Sequence, residues 1–489
     1  MKRRFVLFAG LCLLANAAFM GCAAASDDGG KLPITTSSDR ARELFLQGRD
    51  LQERLRAAEA RSYFQQAIAE DADFALGHLL LALSSTSAKE FFAELEAAKS
   101  LAANASAGER LWIEAFAAGV DGDTRTQKKR FLELAAAYPN SERAQNLMGG
   151  FYFGQQEWGN AIEQYEKAIK INPEFSQPYN QLGYAYRFLG NYPKAESTFK
   201  KYTEVLPDDP NPYDSYAELL MKMGNFDESI VYYQKALSLN PAFFNAHLGI
   251  ASNLNFQGDH KAARSELDKL VESAANNGQR RAAHFAKTIS YVHEGNLEKA
   301  LQEQQNMYGL AAKIEDAAAM SGDLGTMGNL LCEFGKPAEA MKKFEQALRV
   351  TMASNQSQEQ KELAELFHDF NLCQVAVAKR EFDTATSHAN TFKQKAEANK
   401  NKFQIMFSHE MLGRIALATK DYDTAVTELK QANPQNPYNL HRLAMAYEGQ
   451  GDPVQASALH KKATHFNAFN SLNQAYVAYR SGKLMSATK

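Results

Sequence analysis

Residues 177–210 read QPYNQLGYAYRFLGNYPKAESTFKKYTEVLPDDP, and this stretch decides the fold. Its most informative positions are a glycine, an alanine, an aromatic residue and a proline: Gly183, Ala195, Phe199 and Pro207. Similar residues occur thirty-four positions earlier at Gly149, Ala161, Tyr165 and Pro173, and thirty-four positions later at Ala217, Ser229, Tyr233 and Pro241. Three successive copies at one fixed period indicate a repeat architecture.

The spacings inside each copy predict two helices. Tyr179, Leu182 and Tyr186 fall on one stripe of a first helix, and Ala195 and Phe199 begin the apolar stripe of a second. A Gly-Asn pair at 190–191 marks the turn between the two helices, because glycine accepts the helix-ending conformation. The proline at the end of each copy stops the second helix, since it lacks an amide donor. The sequence therefore predicts an all-α fold.

This unit resembles the tetratricopeptide repeat (TPR), a helix-turn-helix repeat of 34 residues. The resemblance implies an α-solenoid, in which the hairpins stack into a right-handed superhelix with a concave groove. It is clearest over 142–275, the regular array. We expect degenerate N-terminal units over 39–141, divergent units over 276–470, and a C-terminal capping helix and tail over 471–489, with about twelve units in all.

The N-terminus predicts export. Lys2 and Arg3 precede an apolar run that is too short to span a bilayer, so residues 1–25 have the layout of a signal peptide. Gly21-Cys22 resembles a bacterial lipobox, which would lipidate Cys22; the alternative is ordinary cleavage after the alanines at 23–25. Polar residues 26–38 are predicted to be a flexible linker. The expected location is the periplasm or the outer membrane, with lipid anchoring in the first alternative.

Composition and motifs argue against several functions. The formal charge of −3 and the pI near 6.4 give no basic field for nucleic acid. No HExxH, GxSxG, P-loop or dinucleotide glycine pattern occurs, so we expect no metal, no cofactor and no enzymatic activity. Cys332 and Cys373 lie at apolar helical positions and are predicted to be buried free thiols.

A second stripe on the first helices is not needed for repeat packing, and the TPR resemblance places it in the groove. Its members are Asn180, Tyr184, Arg187, Asp214, Glu218, Asn245, Ser252 and Asn255. Tyr184 and Arg187 are predicted to be accessible binding anchors that contribute little to stability, and Lys222 is predicted to be exposed. Some TPR proteins clamp a terminal carboxylate with Lys and Asn pairs; here Tyr184 replaces the second Asn, so an acidic chaperone tail is not the expected ligand.

These observations predict a protein–protein interaction scaffold of the bacterial cell envelope that binds peptide segments or partner subunits. The alternative is a solute- or glycan-binding outer-membrane lipoprotein built on the same repeats. Glycan-binding relatives of this kind carry aromatic loop insertions. Here the insertions are short and the only tryptophans are Trp112 and Trp158.

Overall fold

The computed structural model describes residues 30–85 and 87–487 and is all-helical over that range. The predicted signal peptide at 1–25 and Cys22 lie outside the described residues. Twenty-five α-helices and one 3₁₀ turn (Ala102–Asn104) make up the described part. The helices are α1 (Asp39–Glu53), α2 (Ala57–Glu70), α3 (Ala75–Leu83), α4 (Ala88–Leu101), α5 (Ala107–Val120), α6 (Thr124–Ala137), α7 (Glu142–Gly154), α8 (Trp158–Ile171), α9 (Gln177–Phe188), α10 (Tyr192–Val205), α11 (Pro210–Met223), α12 (Phe226–Leu239), α13 (Phe244–Phe256), α14 (His260–Ser273), α15 (Asn277–His293), α16 (Leu297–Ala312), α17 (Ala317–Glu333), α18 (Pro337–Ala353), α19 (Gln358–Lys379), α20 (Phe382–Ala398), α21 (Lys402–Thr419), α22 (Tyr422–Leu429), α23 (Pro437–Gln450), α24 (Pro453–Thr464) and α25 (Leu472–Ala487).

The helices form paired hairpins, which confirms the predicted fold class. Two compact units are present, one ending at Pro178 and the other beginning at Tyr179. No helix in the described part is both long enough and apolar enough to cross a membrane.

Close approach inside a hairpin depends on the small residues of the repeat. A Cβ atom placed on Gly183 would lie 2.6 Å from the ring of Phe199, and one on Gly149 would lie 2.6 Å from Tyr165. Both aromatic side chains are fully buried. Gly224 ends α11 with φ +87°, a left-handed conformation that side chains other than glycine rarely adopt. Small residues and glycine caps thus fix the geometry of each hairpin.

Part of the predicted flexible linker is held against unit 1. The Thr35 amide donates to Glu109 Oε1 at 2.8 Å, and the Ser37 amide donates to Asp71 Oδ2 at 2.9 Å. Lys31 pairs with the buried carboxylate of Glu142. The prediction of a free tether over 26–38 is therefore wrong for residues 31–38, because these polar side chains and amides have partners on the first repeats.

The C-terminal helix has a different role from the terminal cap that the sequence predicts. Besides its neighbours α23 and α24, α25 packs against α15. Tyr476 and Val477 are buried in one cluster with Ile289 and Val292 of α15 and Leu330 of α17. The chain therefore folds back, so that its last helix packs against α15 and α17 as well as α23 and α24.

Candidate functional site

The predicted groove stripe runs along the first helices of unit 2, and three of its members form one hydrogen-bonded group. Tyr184 Oη donates to Glu218 Oε2 at 2.8 Å, and Arg187 Nη1 pairs with the other oxygen of the same carboxylate. The Arg187 guanidinium also lies over the Tyr184 ring, 4.7 Å from its centroid. Only 13% of the Arg187 side chain and 17% of the Glu218 side chain are exposed. These residues join one hairpin to the next.

This group corrects the prediction that Tyr184 and Arg187 are free anchors. The prediction followed from their distance to the repeat's apolar positions, but Tyr184 also packs edge-on against Phe199, with centroids 5.2 Å apart. Removing both side chains would leave the Glu218 carboxylate without two of its partners in a poorly hydrated site, which is costly. Tyr184 and Arg187 therefore stabilise the stripe as well as shaping it.

Asn180 and Asp214 lie beside this group. Asn180 is buried and donates to Ser215 Oγ of the next hairpin at 2.8 Å. Burial, reinforced by the nearby Glu218 carboxylate, raises the pKa of Asp214 well above its ordinary value. The polar stripe is thus tied together by contacts between consecutive hairpins.

The other three predicted members lie on α13 and are not joined to this group. Asn245 is exposed in the first turn. Ser252 donates to the Leu248 carbonyl one turn earlier, and Asn255 Oδ1 lies 3.1 Å from His260 Nδ1. Ser252 and Asn255 line a small cleft whose other side is formed by residues 468–471. They therefore face a segment of the chain itself.

The non-helical segment 466–471, here called the C-terminal loop, covers this part of the stripe. Lys222 Nζ donates to the Phe466 carbonyl and lies 3.2 Å from the centre of the Phe466 ring. Asn467 Nδ2 donates back to the Lys222 carbonyl at 3.4 Å. Phe469 packs on the apolar cluster of α13–α15. We call the side of unit 2 that faces residues 466–480 the inner face.

The prediction that Lys222 is exposed is wrong. Burial, together with the neighbouring Arg187 charge, lowers the pKa of Lys222 to about 7. The repeat pattern leaves Lys222 outside the apolar stripe of α11. It gives no sign of the contact with Phe466, which lies 244 positions away in sequence. A phenylalanine in a polar turn, at no position of the repeat pattern, is the signal that could have indicated such a contact.

The inner face continues along the later hairpins, where sequence reasoning named no site. Arg414 directly follows Gly413, just as Tyr184 follows Gly183, so it occupies the same position of its hairpin. Around it lie Glu333 of α17, Arg442 of α23 and Arg480 of α25. The signal that could have found Arg414 is the small residue before it, which contacts Leu429 of the paired helix.

Catalysis in the described part could be supported by metal-binding groups or by reactive cysteines. No group of three or more histidine, cysteine, aspartate or glutamate residues there could hold a metal ion. Cys332 and Cys373 are free and buried, as predicted, and burial raises their pKa values to about 12 and about 11. These thiols are therefore neutral at physiological pH.

Paired antiparallel helices with one polar stripe on their first helices define a helical repeat protein. Models described as "Tetratricopeptide repeat" match residues 176–209 and 217–243, and one described as "TPR repeat" matches residues 149–190. These matches identify tetratricopeptide repeats over residues 149–209 and 217–243 of the chain. Among curated proteins, none matches it in sequence.

Several solved structures are similar to parts of the chain. A tetratricopeptide repeat protein from Parabacteroides merdae ATCC 43184 is 16% identical, with a TM-score of 0.36, over 55% of this chain and 92% of that one. The TPR protein YrrB, described as having an unusual peptide-binding site, is 18% identical, with a TM-score of 0.27, over 37% of this chain and 91% of its own. MamA is 19% identical, with a TM-score of 0.30, over 34% of this chain and 90% of its own.

Proposed function

We propose that this chain is a non-catalytic scaffold of the bacterial cell envelope that binds peptide segments or partner subunits on the inner face of unit 2. The main support for this proposal is that the inner face already holds a non-helical segment, the C-terminal loop. That loop is held by a hydrogen bond to its main chain at Phe466 and by partial burial of its two phenylalanine side chains. Main-chain hydrogen bonding with side-chain pockets is a general way to bind peptides.

Two further features support a binding role. Concave or inner surfaces are the usual binding faces of repeat arrays, because each hairpin adds one more set of side chains to a continuous surface. TPR repeat proteins are also typically non-catalytic. The envelope location rests on the N-terminal sequence alone, in which Lys2, Arg3, the apolar run and Gly21-Cys22 form an export signal.

Glycan binding is the form of the rival function in which exposed tryptophans would serve as platforms for sugar rings. Trp112, one of the two tryptophans, is buried in the core of unit 1. A sugar ring stacks on an exposed aromatic face, which a buried indole does not offer. Peptide or subunit binding therefore remains the function that the geometry favours.

Site-specific photocrosslinking in the native envelope tests this function. Leu189 is 54% exposed beside the C-terminal loop, Met445 is 40% exposed on the inner face of α23, and Val231 is 60% exposed on α12, the second helix of its hairpin. A photoreactive phenylalanine at Leu189 or Met445 should capture the same partner, and one at Val231 should not. A synthetic peptide copied from the crosslinked partner segment should then bind the purified chain in fluorescence anisotropy. Capture from Val231 alone, or a peptide that does not bind, would overturn the proposal.

A further inference from the structure

A cavity of about 550 Å³ lies on the inner face of α19, α21 and α23. Val377, Leu417 and Met445 supply apolar walls, one from each of these helices. Arg480 of α25 also lines it. Cavities of about 300–1,000 Å³ with mostly apolar walls and a few polar groups are typical of small-molecule sites. The cavity therefore has the size and lining of a ligand site, separate from the surface under the C-terminal loop.

Charged groups of both signs gather at one side of this cavity. Glu333 accepts from Tyr438 Oη at 2.5 Å and from Arg480 at 3.3 Å, and Arg442 Nη2 lies 3.7 Å from it. Burial alone would raise the pKa of Glu333, but the surrounding arginines hold it below its ordinary value, so the carboxylate is charged. Glu410 accepts from Arg442 Nη1 at 3.0 Å.

Positive charge exceeds negative charge among the charged side chains beside this cavity. The three guanidinium groups of Arg414, Arg442 and Arg480 face two carboxylates. The remaining titratable lining groups do not alter that balance at neutral pH. Burial lowers the pKa of His441 to about 4 and raises the pKa values of Cys332 and Tyr438 to about 12, so all three groups are neutral. One positive charge is left unmatched beside the cavity.

Arg414 is the guanidinium whose hydrogen bonds are incomplete. Its nearest carboxylate oxygens, on Glu333 and Glu410, both lie 3.9 Å away, which is beyond hydrogen-bond distance. No residue of 30–85 or 87–487 forms a hydrogen bond with the Arg414 side chain. Only 15% of that side chain is exposed. Its five N–H donors in a planar fork suit a carboxylate, and they remain available to a ligand.

We propose that this cavity binds a small monocarboxylic acid with an apolar body. The Arg414 fork pairs with the carboxylate, and Val377, Leu417 and Met445 enclose the rest of the molecule. One unmatched positive charge selects one negative charge, because a second carboxylate on the ligand would be repelled by Glu333 and Glu410. The apolar walls disfavour acids without a hydrocarbon body, such as acetate.

Calorimetric titration of the full chain tests the proposal with defined probes. Octanoate and 3-phenylpropanoate should bind, whereas octanamide, which has the same body without the charge, should bind at least about tenfold more weakly. Equal binding of octanoate and octanamide, or binding of neither acid, would overturn it. Arg414→Gln should weaken octanoate binding by about tenfold or more. Arg264→Gln is the matched control, because Arg264 lies outside the cavity and pairs with Glu294.

Met445 provides a test that leaves the arginine cluster intact. Met445→Glu places a negative charge at the cavity wall, whereas Met445→Gln has nearly the same size and no charge. Because Met445 is 40% exposed, both variants should fold. The glutamate variant should bind octanoate much more weakly than the glutamine variant does. Equal octanoate affinity in the two folded variants would show that the acid binds elsewhere, independently of whether peptide docking is found.

Discussion

At the scale of single residues, Gly183 is the sharpest test of how the hairpins pack. A Cβ atom there would lie 2.6 Å from the ring of Phe199, so Phe199 or the helices must move. Gly183→Ala should lower the free energy of unfolding by about 1–3 kcal/mol, the usual cost of overfilling a core. Urea denaturation of the two proteins would measure it.

Gly325 is the matched control, since it also lies inside a first helix of unit 2. Nothing lies within 4 Å of a Cβ atom placed on Gly325. Gly325→Ala should therefore raise the free energy of unfolding by about 0.5–1 kcal/mol, because alanine loses less backbone entropy than glycine in a helix. Equal effects of the two substitutions would show that the small residue at 183 is not a packing requirement.

The pair His247 and Glu266 predicts a pH-dependent contribution to stability. The hydrogen bond to Glu266 raises the pKa of His247, and the same bond, together with a weaker contribution from Lys269, lowers the pKa of Glu266 to about 2. The contribution of His247 to the free energy of unfolding is complete below about pH 6.5 and is lost as the pH rises through the raised pKa of His247. The glutamate contribution is complete above about pH 4.5 and is lost as pH falls towards 2.

Both contributions are therefore present together between about pH 4.5 and 6.5. His247→Gln should cost about 1 kcal/mol at pH 5.5 and less at pH 8.5, measured by chemical denaturation. In a Glu266→Gln background the difference between the two pH values should disappear. If it persists there, the pH dependence arises from other groups.

Cys22 carries the proposal of envelope attachment. In the lipobox alternative its side chain receives the lipid, so Cys22→Ala should move the protein from the membrane fraction to the soluble periplasm. Fractionation followed by N-terminal sequencing would measure this. A wild-type protein that is already soluble, with Ser26 at its N-terminus, would favour ordinary cleavage after the alanines.

At the scale of elements, the C-terminal loop and a partner are expected to compete for the inner face. Phe466→Ala removes the ring that Lys222 contacts. The variant should show faster hydrogen exchange over residues 466–471 and stronger partner crosslinking from Leu189, which lines the same cleft as Phe466. Phe403→Ala, at a 41% exposed position on α21, is the control and should change neither quantity. Faster exchange without stronger crosslinking would mean that the partner binds away from the loop.

The repeated elements could be predicted from the sequence because their contacts are local. Gly183 and Phe199, or Ala217 and Tyr233, are sixteen positions apart, so a fixed period makes them visible. The linker contacts of Thr35 and the Lys222 contact with Phe466 join residues 74 and 244 positions apart. The 34-residue repeat pattern gives no information about contacts between residues so far apart in sequence. The repeat pattern therefore predicts which helices carry the stripe residues, namely α9, α11 and α13, but not the distant contacts that reduce the exposure of these residues.

At the scale of the whole chain, the interior position of α25 changes how unit 2 should respond to damage. In an open repeat array each hairpin contacts only its neighbours, so a change at the C-terminus disturbs only the last hairpin. Tyr476 instead packs in one buried cluster with Ile289 and Val292, nearly two hundred positions earlier. Helices far apart in sequence are therefore coupled through α25.

Tyr476→Ala tests this coupling. Loss of so large a buried side chain should cost about 3–5 kcal/mol, and the loss should be felt on both sides of the cluster. Hydrogen exchange should accelerate in α15 as well as in α23, because both helices pack against α25. It should change little in α20, which packs between α19 and α21. Val454→Ala, at a 75% exposed position on α24, should leave all of these rates unchanged. Acceleration confined to α23 and α24 would instead show that α25 acts as a terminal cap, since a cap stabilises only the hairpin that it covers.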